Sequence, residues 1–167
     1  EAALNGLGKP GMGCTATCAY IENDTLAIAH VGDSRAYLLH EGTLIRVTRD
    51  HSYVEELVDA GEITADEARV HPNRSVITRA LGSDPAMYAD HFTLHIEEGD
   101  RLILCSDGLS SMIPDSDIEN IATQSSTAQI CVDNLVDAAL AAGGHDNVTV
   151  VVAVSYTHLT LPTTPYV

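Results

Sequence analysis

The stretch "LILCSDGLSS", residues 102–111, holds the feature that decides the fold and the chemistry of this chain. Residues 102–105 are apolar and are typical of the end of a buried β-strand. Asp107 follows at once, with Gly108 behind it. Because a carboxylate at the mouth of an apolar strand is costly to desolvate without a partner, the stretch predicts that something compensates the charge of Asp107.

Two more aspartates share this context. Asp33 lies in a Gly-Asp pair after "LAIAHV", and Asp146 directly precedes "NVTVVV". Asp107 leaves its predicted strand and Asp146 enters its own, and these two ends meet at one edge of the sheet if the strands are antiparallel neighbours.

Each aspartate alone fits an ordinary turn or cap, in which the side chain bonds nearby backbone amides. Three carboxylates packed together would repel one another, so one must protonate unless a cation lies among them. An all-oxygen set of this kind suits Mg²⁺ or Mn²⁺ better than Zn²⁺. The sequence therefore favours a divalent-metal site formed by Asp33, Asp107 and Asp146.

The composition restricts the possible partners. The 167 residues include 24 acidic and 8 basic side chains, for a formal charge of −16, which argues against binding nucleic acid. No run approaches the roughly 18 apolar residues of a membrane span, so we expect no membrane segment. The four cysteines form no C-x-x-C pair, and we interpret them as reduced core residues of a cytoplasmic protein.

The pattern of β-formers predicts a series of hairpins before the helices. Predicted strands cover residues 15–21, 25–31, 35–40, 44–48, 91–96 and 101–106. The β-branched run at 147–155 is interpreted as a central strand buried on both faces. Because strands and helices are segregated along the chain, we expect an α+β fold with antiparallel sheets and helices packed outside them.

Helix starts are predicted from capping boxes, in which a Ser or Thr side chain and a Glu or Gln three residues later bond each other's backbone amides. Residues 52–60 have helical spacing with Gly61 as a stop. The predicted boxes are Thr64 with Glu67, Ser116 with Glu119, and Ser126 with Gln129, and the last two introduce helices that end near Thr123 and Ala142.

Other phosphate chemistries fail on single residues. A cysteine phosphatase loop starting at Cys105 would need Arg at position 111, where the chain has Ser111. The glycine-rich stretch "GLGKPGMG" has Pro10 after Lys9 rather than the Ser or Thr of a phosphate-binding loop. Neither Ser106 nor Ser110 lies in a G-x-S-x-G frame, so a serine nucleophile is excluded.

Four stretches in order resemble the metal-dependent protein phosphatases (PPM, the type 2C serine/threonine phosphatases), in particular their bacterial branch. They are "HVGDSRAYLL" at 30–39, "TRDHS" at 48–52, "LILCSDGLS" at 102–110 and "GGHDNVTVVV" at 143–152. The resemblance covers roughly residues 11–154. It implies an α-β-β-α sandwich of two antiparallel sheets flanked by helices, with a flap at about 53–81 beside the cleft.

The resemblance also implies the site and the reaction. Asp107 and Asp146 correspond to ligands of a Mg²⁺ or Mn²⁺ cluster of two or three ions, and Asp33 to a ligand of the further, weaker ion that shares Asp107. Gly108 and Asn147 belong to the same two motifs and support these ligands. The reaction is hydrolysis of phosphoserine and phosphothreonine in proteins by a metal-activated water. The implied partners are phosphorylated proteins, namely Ser/Thr kinases and their substrates.

The family's first motifs carry a bridging Asp, a phosphate-binding Arg and often a His acid, and no matching segment occurs here. We therefore expect residues 1–154 to be a phosphatase domain incomplete at its N-terminus and inactive alone, and we assign no catalytic residue. Residues 155–167, rich in Thr and Pro, are interpreted as a tail outside the domain. A phosphatase-like regulatory or binding module without hydrolysis is the alternative, and a purely cation-binding acidic domain is a third possibility.

Overall fold

The computed structural model describes residues 12–82, 84 and 86–155. Seven strands and five helices lie within these residues. The strands are β1 (Ala16–Glu22), β2 (Thr25–Val31), β3 (Arg35–His40), β4 (Thr43–Arg46), β5 (Asp90–His95), β6 (Arg101–Cys105) and β7 (Val150–Val154). The helices are α1 (Tyr53–Asp59), α2 (Ala65–Val70), α3 (Asp107–Ser110), α4 (Asp115–Gln124) and α5 (Ala128–Ala141).

The strands form two antiparallel sheets, as the segregated pattern predicted. One sheet has the order β1-β2-β5 and the other β4-β3-β6-β7. Cys105, the last residue of β6, pairs with Arg35 on one side and with Val150 on the other. The exit of β6 therefore lies beside the entrances of both β3 and β7, which is the edge where the sequence placed its aspartates.

Alternate residues of β3 and β6 face two different cores, because successive side chains of a strand point to opposite faces. The inter-sheet cluster lies between the sheets and consists of Leu26, Ile28, Ala36, Leu38, Ile96 and Leu102. The helix-side cluster lies between the four-stranded sheet and α3–α5 and includes Tyr37, Leu39, Ile103, Cys105, Leu109, Ile118, Cys131, Leu135 and Ala139.

Two short connections position β3. The turn at residues 32–34 carries the chain from the three-stranded sheet into the four-stranded sheet. At the other end of β3, Glu41 (φ 48°) and Gly42 (φ 80°) form the tip of the β3–β4 hairpin, which needs two left-handed residues. Asp33 therefore lies where the two sheets are joined, and the hairpin tip lies at the far end of β3.

The prediction of a central strand buried on both faces at 147–155 is wrong. In the described residues, β7 is an edge strand that pairs with β6 alone, and Val151 is 53% exposed. Val150 and Val152 pack against the helix-side cluster, so one face of β7 is covered. A continuous apolar run indicates that a strand has apolar side chains on both faces. It does not indicate whether the strand lies at the centre or at the edge of the sheet, which explains the error.

Two of the three predicted capping boxes are not formed. The box of Thr64 with Glu67 is confirmed at the start of α2. α4 begins after Pro114 without a side-chain cap, and Glu119 instead accepts a hydrogen bond from the backbone N–H of Leu44 at 2.7 Å. α5 is capped by Thr127, one residue later than the predicted Ser126.

The cysteines follow the prediction in part. All four are free thiols, as expected. Cys105 and Cys131 are buried in the helix-side cluster, whereas Cys14 and Cys18 are exposed. The core interpretation is therefore wrong for Cys14, which lies before β1, and for Cys18, which lies in the solvent-open middle of the edge strand β1.

The helices that contact a sheet extensively, α3, α4 and α5, all lie against the four-stranded sheet. The second helical layer that the resemblance implies is not found among the described elements. None of the helices in the described residues combines the length and the hydropathy needed to cross a bilayer. Ser155 still bonds Gly99 and Asp100, and the remainder of the predicted tail lies outside the described residues.

Candidate functional site

The turns that carry Asp107 and Asp146 lie side by side. Ser106, just after β6, and Thr149, just before β7, share two hydrogen bonds: the N–H of Ser106 donates to the Thr149 carbonyl at 3.0 Å, and the N–H of Thr149 donates to Ser106 Oγ at 3.1 Å. The same Ser106 hydroxyl donates to the carbonyl of Asn147 at 3.1 Å. This pairing brings together two aspartates that are far apart in the sequence.

Gly108 allows this close approach. A Cβ at position 108 would lie 2.3 Å from the carbonyl oxygen of Asn147, a distance that no side chain tolerates. Asn147 in turn donates its N–H to the Asp146 carboxylate at 2.7 Å, which fixes that side chain in its turn. The structure thus places Gly108 and Asn147 between the two aspartates, where the sequence motifs predicted supporting residues.

Asp33 approaches from the turn between the sheets. Burial, and after it the charge of Asp107, raises the pKa of its carboxyl to about 6. Burial also raises the pKa of Asp107, with the charge of Asp146 as the next cause. The three carboxylates are therefore electrostatic neighbours, with Asp107 in the middle.

The three aspartates line one cleft of about 500 Å³. Another wall of the cleft comes from α1, α2 and the residues after them, which lie in the predicted flap. Arg69 of α2 donates to the carbonyl of Met112 at 3.0 Å and so ties this wall to the turn after α3. The flap function of residues 53–81 remains a prediction.

A buried ion network supports the floor of the cleft, and the sequence analysis did not identify it. Arg35 donates to both oxygens of Asp50 at 2.8–3.1 Å and to Tyr37 Oη at 3.1 Å. Tyr37 Oη donates to Asp115 at 2.9 Å, and Arg46 pairs with Asp50 at 2.8 Å. Arg35 and Asp50 lie inside the quoted motifs "GDSR" and "TRDH". The sequence therefore contained both residues but did not show that they contact each other.

The donor chemistry of the cleft fits a divalent ion. Carboxylates whose charges raise one another's pKa are relieved by a cation, and oxygen donors suit Mg²⁺ or Mn²⁺. Across residues 12–82, 84 and 86–155, however, no three His, Cys, Asp or Glu side chains lie close enough to form a ready metal-binding group. The described carboxylates thus do not form a preassembled metal site.

The fold and the cleft together define a class of protein: an α+β sandwich of two antiparallel sheets with a carboxylate-lined cleft at the end of the strands. The profile of the family Protein phosphatase 2C matches residues 8–148. The chain belongs to this family, which confirms the resemblance of the four sequence motifs.

Named relatives agree with this assignment. The serine/threonine phosphatase stp of Listeria welshimeri serovar 6b is 40% identical over 140 residues, which cover 84% of this chain and 56% of that protein. The crystal structure of the serine/threonine phosphatase Stp1 from Staphylococcus aureus has a TM-score of 0.86 and 37% identity, covering 92% of this chain and 60% of that one. The chain therefore spans little more than half the length of these bacterial relatives.

A further solved structure contains metal. The catalytic domain of the serine/threonine protein phosphatase PstP, in complex with two manganese ions, has a TM-score of 0.78 and 38% identity. The aligned part covers 90% of this chain and 63% of that one. Divalent metal binding is thus a property of a similar protein, and for this chain it fits the donors of the cleft.

Proposed function

We propose that this chain forms the Asp33, Asp107 and Asp146 part of a Mg²⁺- or Mn²⁺-dependent phosphatase that hydrolyses phosphoserine and phosphothreonine in proteins. The contact between the Asp107 turn and the Asp146 turn carries the proposal, because it gathers carboxylates whose mutual repulsion a bound cation relieves. The names of the bacterial relatives support the substrate class.

Each part of the site has its own task. Asp107 and Asp146 hold the principal ions, and Asp33 with Asp107 holds a further, weaker ion. Bound divalent ions supply an activated water and neutralise phosphate charge. The ion network of Arg35 and Asp50 keeps the floor of the cleft rigid, so that the carboxylates keep their positions during turnover.

The finer partners belong to the same proposal. Phosphorylated Ser/Thr kinases and their substrates are the expected partners, and the net charge of −16 disfavours nucleic acid. A cytoplasmic location is supported by the four free thiols, since oxidising compartments favour disulfides. Two or three ions are expected, of either Mg²⁺ or Mn²⁺.

The test compares aspartate variants in the full-length protein with a phosphothreonine peptide and Mn²⁺. Asp107→Asn and Asp146→Asn should each lower kcat/KM by more than about 100-fold, since even residues that only orient metal ligands cost 10–100-fold. Asp137→Asn, an exposed aspartate of α5, is the matched control and should keep full activity.

Hydrolysis that persists in EDTA, or full activity in both variants, would contradict the proposal. Binding of phosphopeptide without any turnover by the full-length protein would favour the regulatory module instead. The 167-residue chain alone should turn over substrate very slowly, because it contributes only part of the ligand set.

A further inference from the structure

His51 contacts the backbone that carries Asp33. The ring Nδ1 of His51 accepts a hydrogen bond from the backbone N–H of Gly32 at 3.0 Å. The backbone N–H of His51 donates to the Gly32 carbonyl at 2.7 Å. The His51 residue is 6% exposed and follows β4. Both polar backbone groups of the residue before Asp33 are therefore held by this one histidine.

The partners of His51 determine which nitrogen carries the ring proton. Because the Gly32 N–H donates to Nδ1, that nitrogen has no proton and the proton lies on Nε2. Nε2 donates to Asp90 at 3.0 Å, and Arg79 donates to the other oxygen of Asp90 at 2.6 Å. A continuous relay thus runs Arg79–Asp90–His51–Gly32 and ends one residue before Asp33.

The surroundings make this relay rigid. The ring of His30 lies 4.9 Å from that of His51, and its two nitrogens contact Thr17 Oγ1 at 2.9 Å and the Arg49 carbonyl at 3.0 Å. Gly32 has φ +114°, and a Cβ there would lie 2.3 Å from Thr15 Cγ2. The turn is packed closely against Thr15, and His51 bonds it in this position.

The other end of the relay lies at the end of the predicted flap. Arg79 stacks over the ring of Tyr88 at 4.3 Å, and the carbonyl of His51 accepts from the N–H of Thr78 at 2.8 Å. The segment that leaves the flap and the turn that carries Asp33 are therefore bonded to the same residue.

We propose that His51 is a positioning residue for Asp33, and that the Arg79–Asp90–His51 relay sets the affinity of the weaker metal site by fixing the Gly32–Asp33 turn. The inference rests on the proposed function, because Asp33 matters here as a metal ligand. Residues that orient metal ligands through hydrogen bonds affect metal affinity by about 10–100-fold.

The test measures Mn²⁺ binding to the full-length protein from the electron paramagnetic resonance signal of free Mn²⁺. His51→Leu removes both ring bonds and should weaken the Asp33-dependent binding by about 10-fold or more. His51→Asn places an oxygen where it can accept from Gly32 and should recover most of that affinity. His95→Leu changes an exposed histidine at the other end of β5 and should leave binding unchanged.

A double variant separates positioning from packing. Once Asp33→Asn has removed the ligand, adding His51→Leu should cause no further loss of Mn²⁺ affinity. Equal losses in His51→Leu and His51→Asn would overturn the inference, since the bond to Gly32 would then be irrelevant. A lower unfolding temperature in EDTA with unchanged Mn²⁺ affinity would overturn it too, leaving His51 a purely structural residue.

Two further readouts keep the test decisive if His51→Leu does not fold. In the metal-free wild-type protein, ¹⁵N spectra of the ring should show His51 with the proton on Nε2, and the opposite tautomer would overturn the relay. Asp90→Asn should weaken Mn²⁺ binding in the same direction as His51→Leu.

The aspartate variants separate this inference from the proposed function. If Asp107→Asn weakens Mn²⁺ binding and Asp33→Asn does not, the inference fails while the proposed function stands. If neither variant weakens Mn²⁺ binding, the proposed metal site itself fails.

Discussion

At the scale of the residue, Tyr37 links the core to the cleft. Its ring is fully buried in the helix-side cluster, while its hydroxyl accepts from Arg35 and donates to Asp115. A buried ring with a satisfied hydroxyl can hold a polar network in place without exposing the core to water. The position of Arg35 beneath the cleft therefore depends on a hydrophobic residue.

Tyr37→Phe should lower the free energy of unfolding by about 1–2 kcal/mol, because it keeps the ring but removes the hydrogen bonds of the hydroxyl to Arg35 and to Asp115. Urea denaturation measures the change. Tyr20→Phe, at a position 63% exposed, is the control and should stay within about 0.5 kcal/mol of wild type. Equal effects at the two positions would contradict the role of the network.

His40 should make stability depend on pH. The hydrogen bond to Asp100 at 2.8 Å raises the pKa of His40 above its ordinary value of 6.5. A pKa that is higher in the folded state gives stability that is fully present below pH 6.5 and is lost as the pH rises through the folded value. The urea midpoint of wild type should exceed that of His40→Gln most at about pH 5.5 and least at about pH 8.5. A difference that grows with pH would contradict the pairing.

At the scale of the element, the helix starts show what local sequence decides. α2 begins at its predicted box, since Thr64 and Glu67 lie at an exposed turn and bond each other's backbone amides. The Glu119 side chain could bond the start of its own helix or the neighbouring β4. In the structure it accepts a hydrogen bond from the N–H of Leu44 in β4. Tertiary contacts thus redirect a side chain that the local pattern assigned to a helix start.

The start of α5 gives a paired test of this conclusion. Thr127→Ala should lower the free energy of unfolding by about 0.5–2 kcal/mol, because the Thr127 hydroxyl accepts from the Ile130 N–H. Ser126→Ala, one residue earlier, should change it by less than about 0.5 kcal/mol. Thermal or urea unfolding of both variants measures the difference, and the reverse order would restore the predicted box of Ser126 with Gln129.

Much of the fold and part of the site could be predicted from the sequence, for physical reasons that differ by residue. Alternation and turn residues locate β2, β3 and β6 because these strands bury one or both faces. Asp107 and Asp146 could be paired because antiparallel geometry fixes which strand ends meet. The bond from His51 to Gly32 could not be predicted, since nothing local relates two positions on different loops.

At the scale of the whole molecule, the two clusters share strands. Ala36 and Leu38 of β3 belong to the inter-sheet cluster, while Tyr37 and Leu39 belong to the helix-side cluster. Because β3 and β6 contribute side chains to both clusters, unfolding either strand would disrupt both clusters. We therefore expect the described part of the chain to unfold as one cooperative unit.

Leu135→Ala, in the fully buried centre of α5, should lower the free energy of unfolding by about 2–5 kcal/mol. Circular dichroism and tyrosine fluorescence should shift together, because helices and sheets unfold in one step. Leu140→Ala, in the same helix but 56% exposed, is the matched control and should have a much smaller effect. Separate transitions by the two probes would contradict the cooperative unit.

The β3–β4 hairpin tip has a practical use. Apart from its chain neighbours, no described residue lies within 4 Å of the Cβ position of Gly42, and Glu41 beside it is exposed. A fluorophore or a biotin attached at Glu41 would project away from the aspartates by the whole length of β3. Immobilising the protein through this tip would leave the cleft facing the solution, so that metal and peptide titrations on a sensor surface report binding that the anchor does not obstruct.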